Sequence, residues 1–355
     1  MRLKHLTILA LSSLCILTAC GNDTTLYTTP AQSNESVSST EKTSSKDSSS
    51  ETVPELTSNQ STDTESSKNT DSEKDSSSVA PTAASDATTL DGQTLPVKAQ
   101  SAVLYNCTEG KVMASKNPDN LVYPGSTAKL LASLIAVDHV SLDTVITVGD
   151  ELDLVEPGSS LAYIQKGHQL TMKMLLEGLL IPSGNDAAYT VATVTGRTIA
   201  NDNALPAKDA VDLFVKTMND YANRIGMKHS TFTNPDGFDN SKQLVTASDM
   251  AKLSAEFMKH SELLEITRQF RIDATFVSGQ TITWTNTNHL LDPENEYYIP
   301  DCIGLKTGSS EYSGYCIISG YEHNGKQYAI VIMNGAREGR WNDSNILYDY
   351  MKTLP

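Results

Sequence analysis

Tyr123-Pro124-Gly125-Ser126-Thr127-Ala128-Lys129-Leu130-Leu131-Ala132-Ser133-Leu134-Ile135-Ala136-Val137 holds both a structural and a chemical signal. Pro124-Gly125 breaks the preceding pattern, and a helix is predicted to start near Ser126. Leu130, Leu131, Leu134, Ile135 and Val137 wrap most of its circumference, so the helix is buried rather than merely amphipathic. Residues three apart share a helix face. Ser126 at the helix start therefore presents its hydroxyl beside the Lys129 amine, and the helix N-terminus favours a developing alkoxide. Lys129 must be neutral to take a proton. A free lysine has a pKa of about 10.4, so neutrality at pH 7 costs roughly 4–5 kcal/mol. Burial and a nearby cation both reduce that cost, and Lys306 is the expected cation.

Two further motifs follow in order, Ser183-Gly184-Asn185 and Lys306-Thr307-Gly308. Each pattern is weak by itself. Ser39-Thr40-Glu41-Lys42 repeats the first and Ser67-Lys68-Asn69 imitates the second, both in sequence that cannot build a site. Alone, Ser183 reads as the N-cap of a helix starting at Asp186. Lys306 alone reads as a solvated lysine before a turn glycine. Their joint occurrence, each on the element its chemistry needs, reverses those readings.

Around this core, residues 102–114 read as a hairpin turning at Thr108-Glu109-Gly110. Helices are predicted over 172–180, 186–195, 209–225 and 246–259, the last opened by Thr246-Ala247-Ser248-Asp249. Alternation then marks strands within 270–285, over 303–307 and 314–320, and over 327–333 after a turn at Glu322-His323-Asn324-Gly325. A closing helix spans 343–351. Strands, helices, strands and a helix imply an α/β (α+β) fold. An antiparallel sheet built from both ends of the chain would carry flanking helices and an inserted all-helical lobe. The motifs place the active site where lobe and sheet edge meet.

The N-terminal part differs in kind. Arg2 and Lys4 precede an apolar run over 6–17, then Leu17-Thr18-Ala19-Cys20. This layout is an export signal, too short to span a membrane. A cysteine after small residues resembles a bacterial lipoprotein box, which would make Cys20 the lipidated N-terminus; the alternative is an ordinary signal peptide with a chance cysteine. Residues 21–94 are Ser/Thr-rich, carry 13 acids against 4 lysines and hold few large apolar residues. They read as a disordered tether or a glycosylated stalk. The expected domains are thus a signal over 1–20, a tether over 21–94 and a catalytic domain over 95–355. The net charge of −16 leaves no basic footprint for nucleic acid. Seven scattered histidines, with no metal-ligand spacing, argue against a metal site. Cys302 and Cys316 flank Lys306-Thr307-Gly308 and could face each other across a hairpin; buried thiols are the favoured expectation.

The three motifs match those of penicillin-binding proteins and class A β-lactamases. The chain more closely resembles the low-molecular-mass D-alanyl-D-alanine carboxypeptidases, serine peptidases of the penicillin-binding group. The residues carrying the resemblance are Tyr123–Lys129, Ser230-Thr-Phe-Thr-Asn-Pro-Asp-Gly-Phe, Thr246-Ala-Ser-Asp-Met-Ala, Asn286-Thr-Asn-His-Leu-Leu and Gly304-Leu-Lys-Thr-Gly-Ser-Ser-Glu-Tyr-Ser-Gly-Tyr. The resemblance implies that Ser126 attacks the carbonyl of stem peptides ending in D-Ala-D-Ala while Lys129 takes its proton. It implies that Ser183 relays a proton to the leaving D-alanine and that Asn185 orients Lys129 and the substrate amide. Lys306 and Thr307 would serve the substrate carboxylate, and Gly308 would allow close approach. The N–H groups of Ser126 and Ser309 would form the oxyanion hole. Arg340 matches a family arginine loosely and would contact the carboxylate indirectly. No cofactor is implied, and β-lactams would be covalent inhibitors.

Members often continue into a second β-rich domain and an amphipathic membrane helix. Too few residues follow Gly308 for either, so lipidated Cys20 and the tether are expected to replace that anchor on the outer face of the cytoplasmic membrane. Class A β-lactamases deacylate with a glutamate between the second and third motifs. Between 186 and 305 the glutamates are Glu256, Glu262, Glu265, Glu294 and Glu296, none in a Glu-x-x-x-Asn setting. Trapping by penicillin is therefore expected rather than its rapid hydrolysis. An endopeptidase on D-alanyl cross-links, or a non-catalytic penicillin- or wall-binding lipoprotein, are the alternatives.

Overall fold

The computed structural model describes residues 86–355. The export signal, Cys20 and nearly all of the expected tether lie outside the described residues. The folded part begins before residue 95. Strand β1 (Ala87–Thr89) pairs with β2 (Thr94–Leu95) and with β4. Composition hides this hairpin: Ala87-Thr88-Thr89 continues the small polar bias of the segment before it, yet Ala87 is fully buried.

β3 (Ser101–Asn106) and β4 (Lys111–Lys116) form the expected hairpin. A 3-10 turn, Gly125–Ala128, leads into α1 (Lys129–His139), so the regular helix starts three residues after Ser126. β5 (Val145–Thr147) and β6 (Gln169–Thr171) make a two-stranded ribbon, with a 3-10 turn over Asp150–Leu154 between them. Next come α2 (Met172–Leu180), α3 (Asn185–Ala200), α4 (Ala207–Arg224) and α5 (Ala247–Phe257). Thr246 caps α5 by accepting from the Asp249 N–H at 3.1 Å. α6 (Ser261–Thr267) leads to a second ribbon, β7 (Arg271–Thr275) with β8 (Thr281–Thr285). β9 (Cys302–Ser310), β10 (Gly314–His323), β11 (Lys326–Gly335) and α7 (Gly339–Met351) complete the fold.

The main sheet has seven strands in the order β2-β1-β4-β3-β11-β10-β9, with every pair antiparallel. Both ends of the chain build it, and the helical block lies between them in sequence. The lobe is not wholly helical, because the β5–β6 ribbon sits inside it. Its three-residue strands are too short for alternation to stand out in sequence. The β7–β8 pair stays separate from the main sheet.

β10 and β11 are buried on both faces. Ile317, Ile330 and Ile332 pack with Trp341, Leu347 and Met351 of α7. Ile318, Ala329 and Val331 join Leu130, Leu131 and Leu134 of α1 in the larger core. Adjacent residues thus point to opposite cores, as the two-residue period of a strand requires. The Cys302–Cys316 question is settled by register: Cys302 opposes Tyr321, whereas Cys316 opposes Gly308, and both are free buried thiols.

Candidate active site

Ser126 lies in the 3-10 turn, held from two sides by glycines. A Cβ on Gly237 would fall 1.9 Å from the Gly125 carbonyl oxygen, and one on Gly308 would fall 3.0 Å from the Ser126 nitrogen. Two chain segments therefore press against the Ser126 turn, Gly237 at a distance no side chain allows and Gly308 at a tight one. Lys129 is fully buried. Its Nζ lies 2.9 Å from Ser126 Oγ, 2.7 Å from Asn185 Oδ1 and 2.8 Å from the Asp236 carbonyl oxygen. Two fixed acceptors take two N–H bonds, so the remaining position on nitrogen points at the Ser126 hydroxyl. Burial pushes the amine down to about 8, while the carboxylates of Asp236 and Asp186 pull it upward.

Lys306 feels the positive charge of Lys129, and burial is the larger influence on both amines. It is itself buried and donates to the Thr307 carbonyl at 3.1 Å. Burial pushes its amine well down, and the positive charges of Lys129 and Arg340 add to that push. Desolvation, not a neighbouring cation, leads the lowering at Lys129.

Ser183 and Asn185 come from the turn between α2 and α3. Ser183 is not a helix cap: Gly184 holds that position and no side chain caps it. Ser183 has φ +67°, an uncommon conformation for a residue with a side chain. Its carbonyl accepts from Ser160 Oγ at 2.7 Å. Asn185 uses both ends of its amide. Oδ1 accepts from Lys129, and Nδ2 donates to Ser159 Oγ at 2.9 Å. Asp186 accepts from the N–H groups of Ala162 at 2.8 Å and Ile164 at 3.0 Å, fastening the loop that carries Ser159 and Ser160.

β9 forms the opposite wall. Thr307 Oγ1 is 2.5 Å from Thr287 Oγ1. Arg340 sits in the first turn of α7, rather than before that helix. It stacks over Trp341 at 4.2 Å and Tyr315 at 5.1 Å, and its Nη1 donates to the Gly308 carbonyl at 3.5 Å. Its buried Nε has no partner, and burial lowers the guanidinium to about 10.

Ser126, Ser183, Thr307, Gly308, Ser309 and Arg340 all line one cleft of about 540 Å³. A second cleft of about 310 Å³ opens on its other side, toward Phe238, Asp239 and Glu311, and shares Ser126, Ser159, Ser160 and Ser309. Asn185 touches the second cleft, while Lys129 and Lys306 stand behind the walls. Sequence reasoning assigned no role to Ser159, Ser160, Asp236 or Thr287. Asp236 and Thr287 fall in stretches that carry the family resemblance, but only folding reveals what they touch. Ser159 and Ser160 lie in Glu156-Pro157-Gly158-Ser159-Ser160, which reads only as a turn.

A serine in a turn packed against β9, with a buried lysine 2.9 Å from its hydroxyl, is an arrangement that suits acyl transfer. The comparisons agree with this class. Residues 86–337 match the family described as D-alanyl-D-alanine carboxypeptidase. The chain belongs to that family. It is 28% identical over 243 residues to D-alanyl-D-alanine carboxypeptidase DacF of Bacillus subtilis (strain 168), covering 67% of this chain and 58% of that protein. It is 27% identical over 264 residues to a D-alanyl-D-alanine carboxypeptidase of Streptomyces sp. (strain K15), covering 72% of this chain and 87% of that one. The crystal structure of the Streptomyces K15 DD-transpeptidase superposes with a TM-score of 0.67 at 26% identity, covering 74% of this chain and all of that one. The match to DacF thus spans less than two thirds of that relative's length.

Proposed function

We propose that this protein is a serine-type D-Ala-D-Ala carboxypeptidase that removes the terminal D-alanine from peptidoglycan stem peptides through an acyl-enzyme on Ser126. The observation that carries this reading is the Lys129 amine, buried, lowered to about 8 and 2.9 Å from Ser126 Oγ. As Ser126 Oγ attacks the carbonyl, its proton passes to Lys129 Nζ, whose other two N–H groups stay on Asn185 and the Asp236 carbonyl. A positioned base of this kind contributes about 10²–10⁴-fold. The N–H groups of Ser126 and Ser309 receive the oxyanion, and Ser183 gives its hydroxyl proton to the leaving amine while taking the proton held on Lys129. Thr307 and Arg340 receive the terminal carboxylate, with Lys306 bonded behind them to the Thr307 carbonyl. Water then releases the shortened peptide.

Penicillin acylates the same serine and is released slowly, since the glutamates between the second and third motifs lack the deacylating setting. The chain is exported, anchored through lipidated Cys20, and works in the wall zone outside the cytoplasmic membrane. Among the described residues no helix is long and apolar enough to cross a membrane.

The test is D-alanine release from a D-Ala-D-Ala pentapeptide by the wild type and by Ser126→Ala. Release only by the wild type supports the reading. Binding without release by the wild type would instead indicate a penicillin- or wall-binding protein. A cross-linked dimer as substrate tests endopeptidase action. Relatives from Streptomyces K15 carry both carboxypeptidase and DD-transpeptidase names, so an added acceptor amine tests transfer. Labelled fatty acid incorporated by the wild type but not by Cys20→Ala would support the anchor.

A further inference from the structure

Asp236 is fully buried, and the steps above use only its backbone carbonyl. Its Oδ1 accepts from the Phe238 N–H at 3.1 Å, while its buried Oδ2 has no partner. Burial pushes the Asp236 carboxyl upward and the charge of Lys129 pulls it back, so its ionised form depends on that cation. The charged groups facing Lys129 come from three places: Asp186 on α3, Asp236 on the 234–238 loop and Lys306 on β9. Asp186 is committed, because both of its oxygens accept backbone N–H bonds from Ala162, Ile164 and Ala187. Asp236 is therefore the acid beside Lys129 with an uncommitted oxygen. Its other charged and titratable neighbours are Glu156 and Tyr189, neither of them a cation.

We propose that Asp236 is the positioning residue that sets the strength of Lys129 as a base: its carbonyl aims the amine, and its carboxylate stabilises the ammonium formed on proton transfer. This rests on the reading of Ser126 as nucleophile. The proton leaves Ser126 Oγ and ends on Lys129 Nζ; Asp236 takes none and supplies one negative charge beside the new positive one. Burial alone would leave Lys129 easily deprotonated but too weak to hold the serine proton, and the carboxylate opposes that drift.

The test is the rate at which a fluorescent penicillin labels the full-length chain, measured against pH. The wild-type rate should rise with pH through an inflection near 8, where Lys129 loses its proton. In Asp236→Asn the inflection should move down by roughly one pH unit and the plateau should fall roughly tenfold. Asp236→Glu should keep the inflection at its wild-type position. A merely structural role would lower the labelled fraction without moving the inflection, and an inflection that stays or moves up in Asp236→Asn overturns the proposal alone. A wild type that does not label at all overturns the serine-nucleophile reading and this one with it. A measurement free of Asp236 variants is carboxyl-¹³C aspartate NMR. The Asp236 signal should shift through the Lys129 step in the wild type and lose that step in Lys129→Met; a signal blind to the step overturns the proposal.

Discussion

Lys129 Nζ is 2.7 Å from Asn185 Oδ1, a contact that joins the first turn of α1 to the first residue of α3. It holds a fully buried amine in place against its own solvation, and it makes the site sensitive to both pH and packing.

The first consequence concerns stability. Lys129 is depressed to about 8 from an unfolded value near 10.5, so the folded state resists protonation that the unfolded chain accepts. The cost is absent where both states are neutral, above pH 10.5. It grows as pH falls toward 8 and is complete below that, at about 3 kcal/mol. Chemical denaturation should show the wild type gaining on Lys129→Met by about that amount between pH 8 and 10.5. The hydrogen bonds that Met loses are a constant offset and do not change this slope.

Gly237 should be irreplaceable. It has φ +87°, and a Cβ there would fall 1.9 Å from the Gly125 carbonyl oxygen. Gly237→Ala should lose at least ~2 kcal/mol of stability and most penicillin labelling, because the Ser126 turn must shift. Gly279 has φ +96° but open space around its Cβ position. Gly279→Ala should show only the conformational cost, about 1 kcal/mol, with labelling intact. Thermal unfolding and labelling together distinguish the two.

Arg340 is held by Trp341 and Tyr315 with its buried Nε unpartnered. A substrate carboxylate received there forms a charge-assisted bond worth about 1.5–3 kcal/mol. Arg340→Gln should raise KM for peptides with a free terminal carboxylate by roughly tenfold or more. Acylation by an ester substrate without that carboxylate should change little. Equal losses on both substrates would assign Arg340 to folding alone.

Thr287 orients Thr307 through their 2.5 Å hydroxyl contact. Thr287→Val should raise KM several-fold, as the loss of about 1 kcal/mol requires, and should leave the pH inflection of acylation in place. Steady-state kinetics over pH separates this effect from any change at Lys129.

Much of the architecture could be read before folding was considered. The apolar run after Ser126 foretold a buried helix, and the alternation in 314–333 foretold paired strands, because burial on a regular element leaves a periodic trace. Short elements left no such trace. β5, β6 and the β1–β2 hairpin have only two or three residues each and are set by what they pair with.

The same division holds at the site. Sequence by itself determined the order of the three motifs and the three-residue spacing that lets Ser126 and Lys129 share one face. Tertiary structure decided what surrounds the Lys129 amine. Complete burial leads its depression, and the carboxylates of Asp236 and Asp186 oppose it. Asp236 lies 107 positions along the chain from Lys129, and Thr287 lies 20 from Thr307, both beyond the reach of a local pattern. Desolvation depends on everything packed around a group, and no spacing along a chain records it.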